Sequence, residues 1–198
     1  MLPAYWAPVG AILGSLGGLV YLVETLRGRA RPNRITWLLW GLFPLVIYAA
    51  QRVQGVAGIT WVSLASGLTP LLVFAASFLN PRAYWQSGPR DYLLMVAALV
   101  GLGLWAVTDS PNLALLCALV ADGLASLPTL AKAYRHPASE SWVAYAISAS
   151  GFGLSLLSIP AHSLEHTAFV TYVFVLNGTL ALLAARAHSV PPTAPGAS

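Results

Sequence analysis

The sequence predicts an all-α integral membrane protein with seven transmembrane helices. Three observations predict it. Apolar residues make up 58% of the chain and charged residues 8%, whereas a soluble domain carries about 25% charged residues, so there is too little charge to solvate a globular surface. The apolar residues fall into seven segments, 7–26, 35–53, 57–79, 91–108, 112–131, 142–160 and 167–186, each near the roughly 20 residues that a helix needs to cross a bilayer. The basic residues gather in alternate connections, as they do in proteins whose cytoplasmic loops carry the excess of Lys and Arg.

Arg27, Arg29, Arg31 and Arg34 lie between spans 1 and 2, Arg82 and Arg90 between 3 and 4, and Lys132 and Arg135 between 5 and 6. Arg186 follows span 7, and Arg52 alone falls on the other side. The expected topology in the cell (inner) membrane therefore has the amino terminus outside and the carboxyl terminus in the cytoplasm. The lipid bilayer is the first expected partner. Nucleic acid is not expected, because the positive charges are divided among short turns and form no stripe.

Span 1 has no basic residue ahead of it, which argues for a true span rather than a cleaved leader. Gly10, Gly14, Gly17 and Gly18 stripe it at helical spacing. Small faces let helices approach closely in lipid, so packing explains them, with a hinge or a narrow path as the sharper reading. Glu24 is expected to pair with Arg27 along the helix. Thr36 and Ser141 are expected to cap spans 2 and 6. Trp37 and Trp142, one position further on, are expected to anchor at the membrane interface or to form part of an inner gate. Pro44, Pro70 and Pro128 interrupt spans 2, 3 and 5, where each removes a backbone hydrogen bond; a static kink and a hinge are both open.

Pro81, Gly88 and Pro89 mark a linker before span 4, which Gly101 and Gly103 thin. Asp109–Asn112 is a tight outer turn in which Asp109 or Ser110 caps span 5. Within span 5, Cys117 is the only cysteine, so no internal disulfide forms. Asp122 is the sharpest candidate for chemistry. A carboxylate at the bilayer centre costs roughly 2.5–3.5 kcal/mol, which a watered path, a bound proton or a hydrogen bond, for instance to Ser126, must offset. Asn177 is an amide in the middle of span 7, able to bond a solute hydroxyl or another helix, and Thr69 of span 3 is its nearest candidate partner. His162-Ser163-Leu164-Glu165-His166 fits His-x-x-Glu-His, but no acidic residue follows to complete a metal set. No metal, cofactor or catalytic set is expected. The tail, 189–198, is rich in Pro and Ala and is expected to be disordered.

A short phrase occurs twice, 105 positions apart, as Pro32-Asn33-Arg34-Ile35-Thr36-Trp37 and Pro137-Ala138-Ser139-Glu140-Ser141-Trp142. Each follows a basic run. Residues 1–80 thus form a first three-helix repeat, 81–110 a linker helix and 111–188 a second repeat. Three spans reverse the side of the membrane and the extra helix restores it, giving a 3+1+3 arrangement of parallel repeats.

Residues Leu127-Pro128-Thr129 through Lys132, Arg135 and Ser141 resemble the PQ-loop pattern of the SWEET and SemiSWEET sugar facilitators, in which a proline precedes a basic turn and a serine-containing helix start. The resemblance implies a SWEET-like fold and a carrier function. It points to Tyr48-Ala49-Ala50-Gln51 and Gly153–Leu156 where the family has solute-flanking tryptophans, hence to Tyr48 and Gln51. It also points to Asn177 where the family has a third-helix asparagine. The chain departs from the family at Thr129, where glutamine is common, and at Val23-Glu24, where the first copy lacks the Pro-Gln pair.

The expectation is a transporter for a small polar solute (sugar-like, nucleoside-like or amino-acid-like), bound near Asn177, Thr69, Asp122, Tyr48 and Gln51. The alternative is a non-transporting receptor or assembly factor of the same fold, docking partners on its basic loops. Two repeats in one chain complete a pathway without a partner, and a homo-oligomer stays open.

Overall fold

The structure is a computed structural model, and it describes residues 3, 6–53, 60–79, 86–107, 111–158 and 164–188. Seven α-helices run in order through it: α1 (Trp6–Leu26), α2 (Arg34–Val53), α3 (Thr60–Leu79), α4 (Pro89–Ala106), α5 (Pro111–Arg135), α6 (Trp142–Leu157) and α7 (Leu164–Ala185). Short 3-10 turns at Pro137–Ser139 and Arg186–His188 complete the described elements. The fold is all-α. By length and hydropathy, Pro8–Leu26 and Thr167–Ala185 are sufficient to cross a bilayer, and Ser66–Leu79 and Trp142–Leu157 are apolar but shorter. The tail and the outer turn at 108–110 lie outside the described residues.

Side-chain contacts fix the directions of the helices. Arg34, at the start of α2, donates from Nε and Nη2 to the Oγ and carbonyl of Ser77 near the end of α3, both at 2.9 Å, and stacks over the Phe78 ring. Asn33 Nδ2 reaches Asp91 in the first turn of α4. Arg186, after α7, donates to the carbonyl of Tyr134 at the end of α5. These arginines satisfy carbonyls that a helix end leaves without internal partners. The starts of α2, α4 and α6 therefore meet the ends of α1, α3, α5 and α7 at one end of the molecule, where the basic residues also collect. Odd-numbered helices run one way and even-numbered helices the other.

The packing divides into corresponding pairs. Helix α3 packs on α1 and α2, and α7 packs on α5 and α6. Across the middle, α1 packs on α6 and α5 on α2, while α4 lies against α5 and α2. The two cross-seams differ in chemistry. A Cβ on Gly10 or Gly17 would strike Gly151, Ser155, Ala144 or Ser148 of α6, and one on Gly151 would strike the backbone of Gly10 and Gly14. Ser148 Oγ donates to the Gly14 carbonyl at 3.0 Å. The glycine stripe of α1 thus serves backbone-to-backbone packing on α6. The α2–α5 seam carries larger and more polar side chains.

The exterior is apolar along most helices. Ile12 and Leu16 of α1, Leu72 of α3, Leu93 and Val100 of α4 and Leu182 of α7 are all exposed. The interior holds polar groups, with Asn33, Thr36, Ser126, Thr129, Lys132 and Glu140 all buried.

Candidate functional site

Two polar clusters occupy the seams between the helix triplets. The first is at the basic end. Helix α1 stops at Leu26, and Gly28 takes a left-handed φ of 72°, a conformation that costs glycine nothing. Its N–H donates to the Thr25 carbonyl at 2.9 Å. That turn brings Arg31 alongside the second basic turn, where Arg31 N donates to the Ser139 carbonyl at 2.8 Å and its carbonyl accepts from Lys132 Nζ. Lys132 also lies 2.7 Å from Glu140 Oε1, with the two side chains 1% and 0% exposed. Tyr21 and Tyr145 donate to the other carboxylate oxygen, Oε2, at 2.5 and 3.0 Å. One carboxylate therefore ties α1, α5 and α6 together.

The second cluster lies further along α5 and faces α2 and α7. Asp122 Oδ2 accepts from Tyr172 OH at 2.6 Å. Ser126 Oγ donates to the Asp122 carbonyl at 2.8 Å and accepts from the Trp40 indole N–H at 3.1 Å. Tyr172 OH also lies 3.2 Å from Ser126 Oγ. Tyr172 in turn lines a groove of about 350 Å³ between α5 and α7, with Leu130, Thr171, Val175, Leu176 and Thr179.

Several expected residues lie elsewhere than the sequence suggests. Asp122 does have a hydroxyl partner, but it is Tyr172 of α7. Ser126, four residues on, bonds the backbone carbonyl of Asp122 and not its carboxylate. Glu24 pairs with Arg29 at 2.7 Å, because the chain leaves the helix after Leu26 and Arg29 curls back. Asn177 donates to Val173 of its own helix at 2.9 Å. Thr69 of α3 sits against Gly18 of α1, where a Cβ on that glycine would strike its methyl group.

Thr36 does not cap α2. Asn33 Oδ1 takes that role, accepting from the N–H groups of Ile35 and Thr36 at 3.1 and 3.3 Å. The Thr36 hydroxyl instead donates to the Ala125 carbonyl of α5 at 2.8 Å, within the turn that Pro128 perturbs. Ser141 does cap α6, accepting from Ala144 N. Trp37 is buried and tilted on Tyr21, their ring centroids 4.3 Å apart, so it belongs to the core and not to an interface. Trp142 is partly exposed.

The prolines 44, 70 and 128 lie inside continuous helices, and Pro128 is buried. Helix α5 runs on through Pro128 to Arg135, four residues beyond the expected end, because Lys132 is neutralised by Glu140 and can stay inside. Tyr48 is half-buried in α2, and the side chain of Gln51 falls outside the described residues. So do the first two positions of the His162–His166 stretch. Thr25 Oγ1, Trp37 Nε1 and Thr129 Oγ1 are buried without a hydrogen-bond partner among the described residues. No protein-family model matches the chain, and no curated protein or solved structure is similar enough to count as a match.

The Glu140 cluster is not apparent from the sequence. Lys132 and Glu140 look like ordinary members of a solvated basic turn. The one available signal is that Glu140 is the sole acidic residue within the second repeated phrase.

Proposed function

We propose that the chain is an integral membrane carrier for a small polar solute, built from two parallel three-helix repeats in a 3+1+3, SWEET-like arrangement. The observation that carries this reading is the inside-out distribution of polarity. Large apolar side chains face outward, while a carboxylate, hydroxyls and an indole N–H line the seam between triplets. A bilayer rewards that pattern and water does not.

The pairing of helices supports the repeat. Exchanging α1, α2 and α3 with α5, α6 and α7 respectively turns the α1–α3, α2–α3 and α1–α6 contacts into the α5–α7, α6–α7 and α5–α2 contacts, as a two-fold axis along the bilayer normal requires. The common direction of α1 and α5 supports parallel rather than inverted copies.

Under this reading the α1–α6 seam, zipped at its glycines, is the pivot. The α2–α5–α7 side, with Asp122, Tyr172, Ser126 and Trp40, is where the solute binds. The Lys132–Glu140 cluster and the Arg31–Ser139 bond close the cytoplasmic end. The carrier alternates by rocking one triplet on the other, and no covalent step is needed. Asp122 is the group that would hold a transported proton.

Reconstitution into liposomes tests the proposal. Saturable flux of a sugar, nucleoside or amino acid, lost in Asp122→Ala, is expected. A protein that folds and inserts but moves none of these, while retaining a stable protein partner, would favour the receptor or assembly-factor reading.

A further inference from the structure

We propose that the basic end contains a binding site for a phosphate group, supplied by the headgroup of an anionic lipid in the cytoplasmic leaflet. The source of the ligand rests on the membrane reading above; the site itself rests on geometry. A cavity of about 540 Å³ lies between the two basic turns, lined by Gly28, Arg29, Arg31 and Ala187 together with His136 through Ser139. Three of these residues carry basic side chains, and both repeated turns contribute.

Glu24 offsets the charge of Arg29, and the charge of Arg31 is left for a ligand. Among the described residues no carboxylate lines the cavity. Glu24 is bonded to Arg29 by both its oxygens, and Glu140 is buried behind the cavity wall and committed to Lys132, Tyr21 and Tyr145. Arg31 is held by its backbone, at N by Ser139 and at O by Lys132, and its guanidinium is exposed without a hydrogen-bond partner among the described residues.

The walls are also fixed in advance. The Arg31–Ser139 bond joins the two turns, and Ser139 Oγ and N both donate to the His136 carbonyl, at 2.7 and 2.9 Å. Arg31, held at a fixed position beside the His136 imidazole and with no carboxylate of its own among the described residues, favours an anion in the cavity. Arginine forks match phosphate oxygens with two parallel hydrogen bonds. The volume falls within the range of small-molecule sites and exceeds what a phosphate ion fills, leaving room for the rest of a headgroup. Basic pockets between helices at the cytoplasmic face are where anionic headgroups dock.

The test compares wild type with Arg31→Gln, His136→Gln and, as a control, Arg135→Gln, an exposed arginine at the same end that does not line the cavity. Full-length protein extracted from bilayers of mixed phosphatidylglycerol and phosphatidylcholine is examined by native mass spectrometry. In a second arm, inorganic phosphate is titrated into protein in neutral detergent, which requires neither a bilayer nor transport. Selective retention of phosphatidylglycerol is expected, reduced about tenfold in Arg31→Gln and changed less than about twofold in Arg135→Gln, as loss of a bidentate arginine–phosphate contact requires. His136→Gln should weaken retention less than Arg31→Gln. Equal losses in Arg31→Gln and Arg135→Gln would reduce the effect to diffuse surface attraction and overturn the site. Phosphate binding without lipid retention would overturn the lipid source. Absence of solute flux in the wild type with lipid retention intact would instead count against the carrier reading alone.

Discussion

Tyr21 and Tyr145 donate to the same oxygen of Glu140, at 2.5 and 3.0 Å, from helices on opposite sides of the seam between triplets. Lys132 supplies the compensating charge from a third helix. Removing one partner of a buried ion pair strands the other, at a cost of about 3–5 kcal/mol. Glu140→Gln should therefore unfold at a markedly lower temperature in detergent. The double variant Lys132→Met, Glu140→Met should recover only part of the loss, since it strands no charge but leaves the Tyr21 and Tyr145 hydroxyls without their acceptor. A Glu140→Gln protein that melts with wild type would mean that the cluster does not hold the turns together.

The α1–α6 seam makes an opposite pair of predictions about glycine. At Gly151, a methyl group would meet the Gly10 carbonyl at 2.5 Å and the backbone of Gly14. Neither can retreat without parting the helices, so Gly151→Ala should cost about 1–3 kcal/mol. At Gly123 of α5 nothing lies within 4 Å of an added Cβ. Gly123→Ala should be neutral or stabilise by about 0.4–1 kcal/mol through the lower entropy of the unfolded chain. Parallel melting curves for the two variants check the contrast; equal effects would mean that α1 and α6 are not in backbone contact.

The helices themselves were legible in the sequence, because long apolar runs bounded by Pro, Gly and basic turns leave little choice of element. The differences between the surroundings of the two phrases were not. The 105-residue offset that aligns the phrases also aligns Gly17 with Asp122. Gly17 is pressed onto Ser148 of α6, whereas Asp122 meets a tyrosine of α7. The same offset aligns Asn33 with Ala138, and this explains the caps. The first copy has an amide to cap α2, freeing Thr36 to reach α5, and the second has none, so Ser141 must cap α6. Trp37 and Trp142 hold the same place in the phrase, yet one is buried on Tyr21 and the other is partly exposed. Local sequence sets where a helix starts, but which neighbour a face meets depends on residues far along the chain, 50 positions on for Asp122 and Tyr172 and 89 for Thr36 and Ala125.

The caps can be separated by substitution. Asn33→Ala removes an N-cap worth about 1 kcal/mol and also the bond to Asp91 that ties α4 to the turn. Ser141→Ala removes a cap alone, and one whose hydrogen bond is long at 3.4 Å. Asn33→Ala should therefore be the more destabilising in chemical unfolding. Thr36→Val should also destabilise, through loss of the hydroxyl's bond to the Ala125 carbonyl and not through the start of α2. Hydrogen exchange at the Ile35 and Thr36 amides distinguishes the two mechanisms: it should rise in Asn33→Ala and stay near wild type in Thr36→Val.

The carrier reading gives Asp122 and Tyr172 separate roles. Asp122→Asn keeps a polar side chain of the same size but cannot alternate between charged and neutral forms. If this carboxyl moves the coupled proton, the variant should lose uptake against a gradient while exchange of labelled for unlabelled solute continues. Tyr172→Phe leaves the carboxyl in place and removes its donor at 2.6 Å. A hydrogen bond to a charged group is worth about 1.5–3 kcal/mol, so coupling should survive with a shifted pH profile. Two assays on one liposome preparation, uphill uptake and exchange at equal concentrations, separate the cases. Loss of both in Asp122→Asn would make the carboxylate a solute ligand or a structural group. Loss of neither would leave it as a packing element between α5 and α7, and proton linkage would have to be abandoned.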